Sequence, residues 1–147
     1  MNIRKLEKED TANFVALLKV FEVVFEMKDF SAPDQKHLQK VLNCDNFAVF
    51  IAENEGKIVG GLTTYVLNQY YDEKPLAYIF DLAVDHKFQR KGIGKKLVNA
   101  TNLFYKEHGF EEVFVQVDKT DDDALDFYRK TSPSDENDVT HFNYQLN

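Results

Sequence analysis

The stretch that decides the fold is Tyr78-Ile79-Phe80-Asp81-Leu82-Ala83-Val84, followed by Gln89-Arg90-Lys91-Gly92-Ile93-Gly94 and a long amphipathic run. This order is typical of a buried strand, a polar turn, a glycine-bearing loop and a helix. Backbone N–H groups at the start of such a helix can bind phosphate, because the helix dipole favours negative charge there. The stretch therefore predicts a phosphorylated cofactor, and an enzyme is the leading hypothesis.

The segments around this stretch predict a mixed α/β sheet domain. Periodicity predicts strands over residues 2–6, 47–52, 58–67, 77–84, 112–117 and 139–145, and helices over residues 11–27, 33–42, 94–108 and 121–130. The three central strands are expected to form an antiparallel meander. Gly60 and Gly61 indicate a bulge or a close backbone approach, and Gly109 fits the end of the third helix. No repeat or linker is evident, so residues 1–147 are predicted to form one domain.

Composition narrows the classes of partner. The formal charge of −7 and the pI of about 5.1 argue against nucleic acid and anionic membranes, and they suit a cationic substrate. The alternative is that the charge only keeps the protein in solution. A lone Cys44 excludes an internal disulfide and forms no metal-binding spacing with the histidines, so no metal site is predicted. With no apolar leader and no membrane-length apolar run, the expected compartment is the cytoplasm.

The loop with Gln89, Gly92 and Gly94 resembles the acyl-coenzyme A loop of the GNAT superfamily of N-acetyltransferases. The resemblance implies a GNAT-like fold, a mostly antiparallel sheet flanked by helices, with acetyl-coenzyme A as co-substrate. The predicted cofactor-binding residues are Gln89, Arg90, Lys91, Gly92, Ile93, Gly94 and Lys95 around the pyrophosphate, and Leu82, Ala83 and Val84, whose backbone would pair with the pantetheine arm. The alternative is an ordinary strand-to-helix turn.

Two catalytic residues are expected from the same resemblance. The run Ala124-Leu125-Asp126-Phe127-Tyr128-Arg129-Lys130 is similar to the superfamily helix whose tyrosine protonates the departing thiolate, so Tyr128 is the candidate general acid. Asp81 is the candidate general base. Period-two alternation predicts that it shares a face with Ile79 and Ala83, and desolvation would raise its pKa. The alternatives are a core tyrosine and a structural aspartate bonded to the backbone or a lysine.

The ordered combination of several segments resembles one GNAT branch, the aminoglycoside (gentamicin) 3-N-acetyltransferases. The segments are residues 78–84, Val115-Gln116-Val117-Asp118, Asp121-Asp122 and Val139-Thr140-His141-Phe142. The branch implies acetylation of an aminoglycoside antibiotic at the 3-N position, resistance and a tendency to form dimers. The loop after Lys130 departs from the branch pattern, and Pro133 is expected to end the preceding helix.

Acceptor recognition is expected to rest on carboxylates, because aminoglycosides are polycations. The candidates are Asp118, Asp121, Asp122, Glu136 and Asp138. For Asp121 and Asp122, helix N-capping is the alternative role. Two other functions stay open: acetylation of a polyamine, another small amine or a peptide, and a sensor that binds acyl-coenzyme A without turnover.

Overall fold

The computed structural model describes all 147 residues, Met1–Asn147, and shows five strands and four α-helices. The strands are β1 (Asn2–Lys5), β2 (Phe47–Asn54), β3 (Lys57–Leu67), β4 (Leu76–Val84) and β5 (Glu112–Val115). The helices are α1 (Thr11–Val24), α2 (Gln35–Leu42), α3 (Ile93–Glu107) and α4 (Asp122–Arg129), and a 3₁₀ turn at His86–Phe88 precedes α3. The prediction of a mixed α/β fold is confirmed.

The strands form one open sheet in the order β1-β2-β3-β4-β5. The pairs from β1 to β4 are antiparallel, which confirms the predicted meander, and β5 joins β4 in parallel. The parallel step needs a crossover, and α3 supplies it. The end of β4 and the start of α3 are thereby placed at the same end of the sheet.

Each face of the sheet has its own apolar core. Phe14, Leu17 and Phe21 of α1 pack with α2 on one face, while Leu97 and Tyr105 of α3 belong to the core on the other face. We call these the α1 face and the α3 face.

Gly61 of β3 lets α1 approach the sheet closely. A Cβ atom at Gly61 would lie 2.6 Å from the Phe50 carbonyl oxygen and 2.7 Å from a Leu17 methyl carbon. No side chain fits in that space without displacing strand or helix. The predicted close backbone approach at these glycines is therefore confirmed.

The chain divides into two compact units, Met1–Gln116 and Val117–Asn147. The first unit contains the whole sheet with α1, α2 and α3, and the second contains α4 and the C-terminal segment. The single-domain organisation of residues 1–147 stays a prediction. No helix combines the length and the apolar composition that crossing a bilayer requires.

One predicted strand is absent, and one predicted helix is shorter than expected. The expected strand at residues 139–145 is absent, because a strand needs a neighbour to take its backbone hydrogen bonds and this segment has none. Phe142 and Tyr144 are 77% and 84% exposed there. Helix α1 ends at Val24 rather than at Met27, since Glu26 adopts a left-handed backbone conformation with φ of 50°.

Candidate active site

A β-bulge at Phe80 shapes the middle of β4. Thr63 pairs with Asp81 and Thr64 pairs with Ile79, so Phe80 is the extra residue with no partner in β3. The extra residue breaks the alternation: Ile79 belongs to the core on the α3 face, whereas Ala83 belongs to the core on the α1 face. Asp81 lies two residues from Ala83 and therefore points to the α1 face. The prediction that Asp81 shares a face with Ile79 is wrong for this reason.

The carboxylate of Asp81 is half-buried and carries no counter-charge within the chain. Burial raises the pKa of Asp81 above its ordinary value, because desolvation disfavours the charged form. None of the ion pairs or side-chain hydrogen bonds involves this carboxylate. The backbone N–H of Asp81 donates to Thr63 Oγ1 at 3.3 Å. The pKa of Tyr65 is also raised, first by burial and then by the charge of Asp81, which places the two side chains close together.

The outer edge of β4 opens at the bulge. β5 pairs with β4 only from Leu76 to Ile79. Phe80 has no partner on either side, and from Asp81 to Val84 the strand is paired on the β3 side alone. The predicted pantetheine-binding residues lie on this open stretch, where backbone N–H and C=O groups can accept an added strand-like ligand.

The glycine loop has the conformation that a phosphate site requires. Gly92 is the N-cap of α3 with φ of 82°, and a Cβ atom there would meet no protein atom within 4 Å. The first-turn N–H groups of α3 have no intrahelical acceptors, and no acidic side chain lies in that turn. Exposed cationic side chains surround it: Arg90, Lys91, Lys95 and Lys96. These residues fit a pyrophosphate.

Two loop residues have structural roles that the sequence did not indicate. The Gln89 side-chain amide donates to the Val84 carbonyl oxygen at 2.8 Å and ties the loop to the end of β4. The Ile93 side chain is buried in the core on the α3 face. Of the predicted cofactor residues, these two therefore have backbone groups rather than side chains available for a ligand.

Tyr128 belongs to the second unit, on α4. Its side chain is partly buried and its ring contacts that of Phe127, with centroids 4.8 Å apart. Helix α4 ends directly after it, since Arg129 is the last helical residue and Thr131 Oγ1 donates to the Tyr128 carbonyl oxygen. The predicted helix end before Pro133 is confirmed.

The second unit carries most of the net negative charge of the chain. Val117–Asn147 contains eight acidic and three basic side chains, a balance of −5 against −7 for the whole chain. A shallow open depression is lined by Asp118, Thr120 and Asp121–Asp123. This cluster is an exposed anionic surface.

The predicted acceptor carboxylates differ in what they already bind. Asp121 caps α4 by accepting from the Ala124 N–H at 3.0 Å, and Asp118 accepts from Thr120, which lowers its pKa. Glu136 forms a two-bonded ion pair with Arg129, and Asp138 pairs with Lys119 at 2.9 Å. Asp122 lies in the first turn of α4 without an ion-pair partner. Glu136 and Asp138 must therefore exchange an internal cation before they contact an acceptor.

Sequence reasoning missed the aromatic side chains beside Asp81. The rings of Tyr65 and Phe80 contact each other edge to face, with centroids 5.5 Å apart, and their side chains are 37% and 55% exposed. The available signal was Phe80 itself, a large apolar residue out of phase with Ala77 and Ile79. By alternation alone it would be placed on the face opposite to those two residues, with no reason to meet Asp81.

An open strand edge followed by a cationic glycine loop at a helix start is the arrangement expected of an acyl-coenzyme A-dependent transferase. The chain belongs to the acetyltransferase (GNAT) family, whose model matches residues 14–132 and so spans both units. It is an acetyltransferase by family, and this family uses acetyl-coenzyme A.

Solved structures give the same classification. An aminoglycoside acetyltransferase from an uncultured soil metagenomic sample, in complex with sisomicin, is 63% identical, with 99% of this chain and 96% of that chain covered and a TM-score of 0.98. A second soil metagenomic aminoglycoside acetyltransferase is 28% identical over 99% of this chain and 98% of that chain, with a TM-score of 0.91. An aminoglycoside 6′-N-acetyltransferase in complex with coenzyme A, 17% identical over 99% and 100% with a TM-score of 0.75, shares the fold. No curated protein sequence gives a significant match.

Proposed function

We propose that this protein transfers an acetyl group from acetyl-coenzyme A to the 3-N amine of an aminoglycoside antibiotic and thereby confers resistance. The observation that carries the proposal is the 63% identity, over nearly the full length of both chains, to an acetyltransferase solved with the aminoglycoside sisomicin. The acidic balance of the second unit supports a polycationic acceptor, since ammonium groups form short charge-assisted bonds to carboxylates.

Asp81 is the proposed general base. The attacking amine must lose a proton as its nitrogen bonds to the thioester carbonyl carbon, and a carboxylate takes that proton directly or through a water. Because burial raises its pKa and no internal cation neutralises it, Asp81 is a better proton acceptor than an exposed aspartate.

The first unit supplies the proposed cofactor site. The backbone of Leu82 to Val84 would pair with the pantetheine arm along the open edge of β4, and the residues from Gln89 to Lys95 would hold the pyrophosphate. An amide N–H on the same edge would polarise the thioester carbonyl. Acetyl-coenzyme A supplies the acetyl group and a thiolate leaving group.

Tyr128 is the proposed general acid. When the carbon–sulfur bond breaks, the departing thiolate takes a proton from the phenol. Direct transfer needs no covalent intermediate on the protein, so orientation of the two substrates, one base and one acid are sufficient. The exposed carboxylates Asp118, Asp121 and Asp122, with Glu136 and Asp138 after exchange of their cations, would hold the other ammonium groups of the acceptor.

The test is amine-dependent release of free thiol from acetyl-coenzyme A, with gentamicin, kanamycin and spermidine assayed side by side. We expect fast turnover with gentamicin, slow turnover with spermidine, and a product acetylated on the 3-N atom by NMR. Faster turnover with spermidine would overturn the aminoglycoside assignment in favour of a polyamine. Tight acetyl-coenzyme A binding without thiol release for any amine would indicate a sensor.

We also propose a homodimer in which residues 139–147 of each chain add to a sheet edge of the other copy. Phe142, Tyr144 and Leu146 alternate in the period of a strand and are 77%, 84% and 94% exposed. β1 and β5 each have a single neighbour, so both are edges that accept a further strand. Each aromatic side chain offers roughly 150–250 Å², so two exchanged segments reach on the order of 1,000 Å², as a specific interface needs.

Light scattering on size-fractionated protein tests the assembly. We expect a dimeric mass for the wild type and a monomeric mass for the double variant Phe142→Asp, Tyr144→Asp. A control variant, Tyr70→Asp, alters a side chain that is 97% exposed outside this segment and should leave the mass unchanged. An unchanged mass in the double variant would rule out this interface.

A further inference from the structure

A row of aromatic rings crosses the α1 face of the sheet and passes beside Asp81. In the order of their contacts, its members are Phe14 on α1, Phe47 on β2, Tyr65 on β3, Phe80 and then Tyr78 on β4, and Phe114 on β5. Successive ring centroids lie 5.8, 5.1, 5.5, 5.8 and 4.8 Å apart. Every strand from β2 to β5 therefore contributes to one continuous aromatic surface within the first unit.

The row changes from core to surface along its length. Phe14 and Phe47 are 4% and 8% exposed, whereas Tyr65 and Phe80 are 37% and 55% exposed. The buried end anchors the row, since α1 packs over it, and the middle of the row at Tyr65 and Phe80 is left accessible. Tyr78 and Phe114 stack face to face, with ring planes 5° apart, and support Phe80 from the side of β5.

The bulge brings this accessible part of the row to the candidate base. Tyr65 pairs with Tyr78, and Thr63 pairs with Asp81, so these residues share the α1 face. The ring contacts of Phe80 with both Tyr65 and Tyr78 place Phe80 there too. Without the extra residue, one of Phe80 and Asp81 would point to the opposite face.

The chemistry of this surface selects a particular kind of ligand. Aromatic faces carry partial negative charge and attract cations, and Asp81 adds a carboxylate at the same place. A saturated ring bearing ammonium groups satisfies both features, because its C–H face can lie on the aromatic rings while an amine meets the carboxylate. A linear polyamine meets the charge requirement but has no ring to lay on the platform.

We propose that Tyr65 and Phe80, backed by Tyr78 and Phe114, form a platform that binds one face of the amine-bearing ring of the acceptor and presents its amine to Asp81. This inference deepens the proposed function and rests on it. The exposed carboxylates of the second unit would bind charge wherever it lies on the acceptor, whereas the platform selects the ring that is acetylated. Tyr65 and Phe80 are thus binding residues rather than catalytic ones.

Kinetics of the variant Phe80→Ala test the platform. We expect KM for gentamicin to rise roughly 2- to 30-fold, the range of a lost cation–π contact, while KM for acetyl-coenzyme A stays within about twofold. The ratio of gentamicin to spermidine turnover should fall, because spermidine does not use the ring surface. Tyr70→Ala, which removes an exposed aromatic ring elsewhere, is the matched control and should behave as wild type.

Two further measurements keep the inference open to refutation. Phe80→Leu keeps apolar bulk without a π face, so a wild-type KM for gentamicin in that variant would overturn the platform. Gentamicin affinity by calorimetry separates this inference from the proposed function. Wild-type protein that binds gentamicin without acetylating it would refute the function, and a tenfold weaker affinity in Phe80→Ala would still support the platform. Equal affinity in the two proteins, or no binding by either, would refute the platform.

Discussion

Substitution of Gly92 by alanine is expected to weaken acetyl-coenzyme A binding far more than it destabilises the fold. Gly92 has φ of 82°, a conformation in which a side chain costs roughly 1–2 kcal/mol. Part of that cost is offset, since alanine also restricts the unfolded chain by about 0.4–1 kcal/mol. The net loss is about 1 kcal/mol, which corresponds to a decrease in Tm of roughly 2–4 °C for a chain of this size.

Two other glycines provide matched controls. Gly56 and Gly109 have φ of 76° and 77°, and a Cβ atom at either would also meet no protein atom within 4 Å. Alanine at each of the three positions should therefore lower Tm by a similar amount. Only at Gly92 would the added methyl group enter the space where the pyrophosphate is expected. Loss of one charge-assisted hydrogen bond, about 1.5–3 kcal/mol, raises KM for acetyl-coenzyme A roughly 10- to 100-fold.

Thermal unfolding by circular dichroism and thiol release at varied acetyl-coenzyme A concentration measure the two effects. The expected result is three similar Tm values and one altered KM. If Gly92→Ala and Gly56→Ala raised KM equally, the effect would come from general destabilisation, and the assignment of the loop to the pyrophosphate would be refuted.

The other predictions concern Asp81, Tyr128 and Asp10. Asp81→Asn should lower kcat/KM by about 10²-fold or more and remove the acid limb of the pH profile; a wild-type profile would mean another base. Because burial raises the pKa of Asp81, ionisation of its carboxyl group as pH rises through that pKa destabilises the folded protein. Asp81→Asn should therefore have a higher Tm than the wild type at pH 7. Tyr128→Phe should reduce kcat about 10²-fold without changing KM for acetyl-coenzyme A; unchanged kcat would remove it as the acid. The pKa of Asp10 is lowered, chiefly because its carboxylate accepts a hydrogen bond from the Glu7 N–H and pairs with Arg4. Asp10→Ala should therefore lower the free energy of unfolding by about 0.5–1 kcal/mol near pH 7, measured by urea unfolding. At a pH below that pKa the same substitution should have little effect.

Local signals in the sequence were sufficient for most of the fold. Gly92 and Gly109 flank α3, because each position has a backbone conformation that glycine adopts most easily. A glycine at either end of an amphipathic run is a signal that can be read from the sequence. The apolar spacing of α1 and α3 predicted both helices, since a helix repeats every 3.6 residues regardless of what it packs on. The strands of the meander followed from the same kind of short-range pattern.

The bulge in β4 depends on a partner and was out of reach. Nothing in the run from Ile79 to Ala83 indicates which residue lacks a neighbour, because that is decided by how Thr63 and Thr64 pair across the sheet. The prediction of a C-terminal strand was wrong for a related reason. Residues 139–145 have the alternation of a strand, but alternation shows only the capacity to pair and not that a partner is present.

One extra residue connects the cofactor edge to the acceptor surface. Up to Ile79, β4 is paired on both sides. After Phe80 it is paired only with β3, and its outer edge is open. The same residue brings Phe80 and Asp81 to one face, beside Tyr65. A thioester lying along the open edge and a cationic ring lying on the aromatic surface would meet at this point, with a desolvated carboxylate between them. The bulge therefore explains how Asp81, rather than one of the many exposed carboxylates of the chain, meets the requirements of the proposed general base.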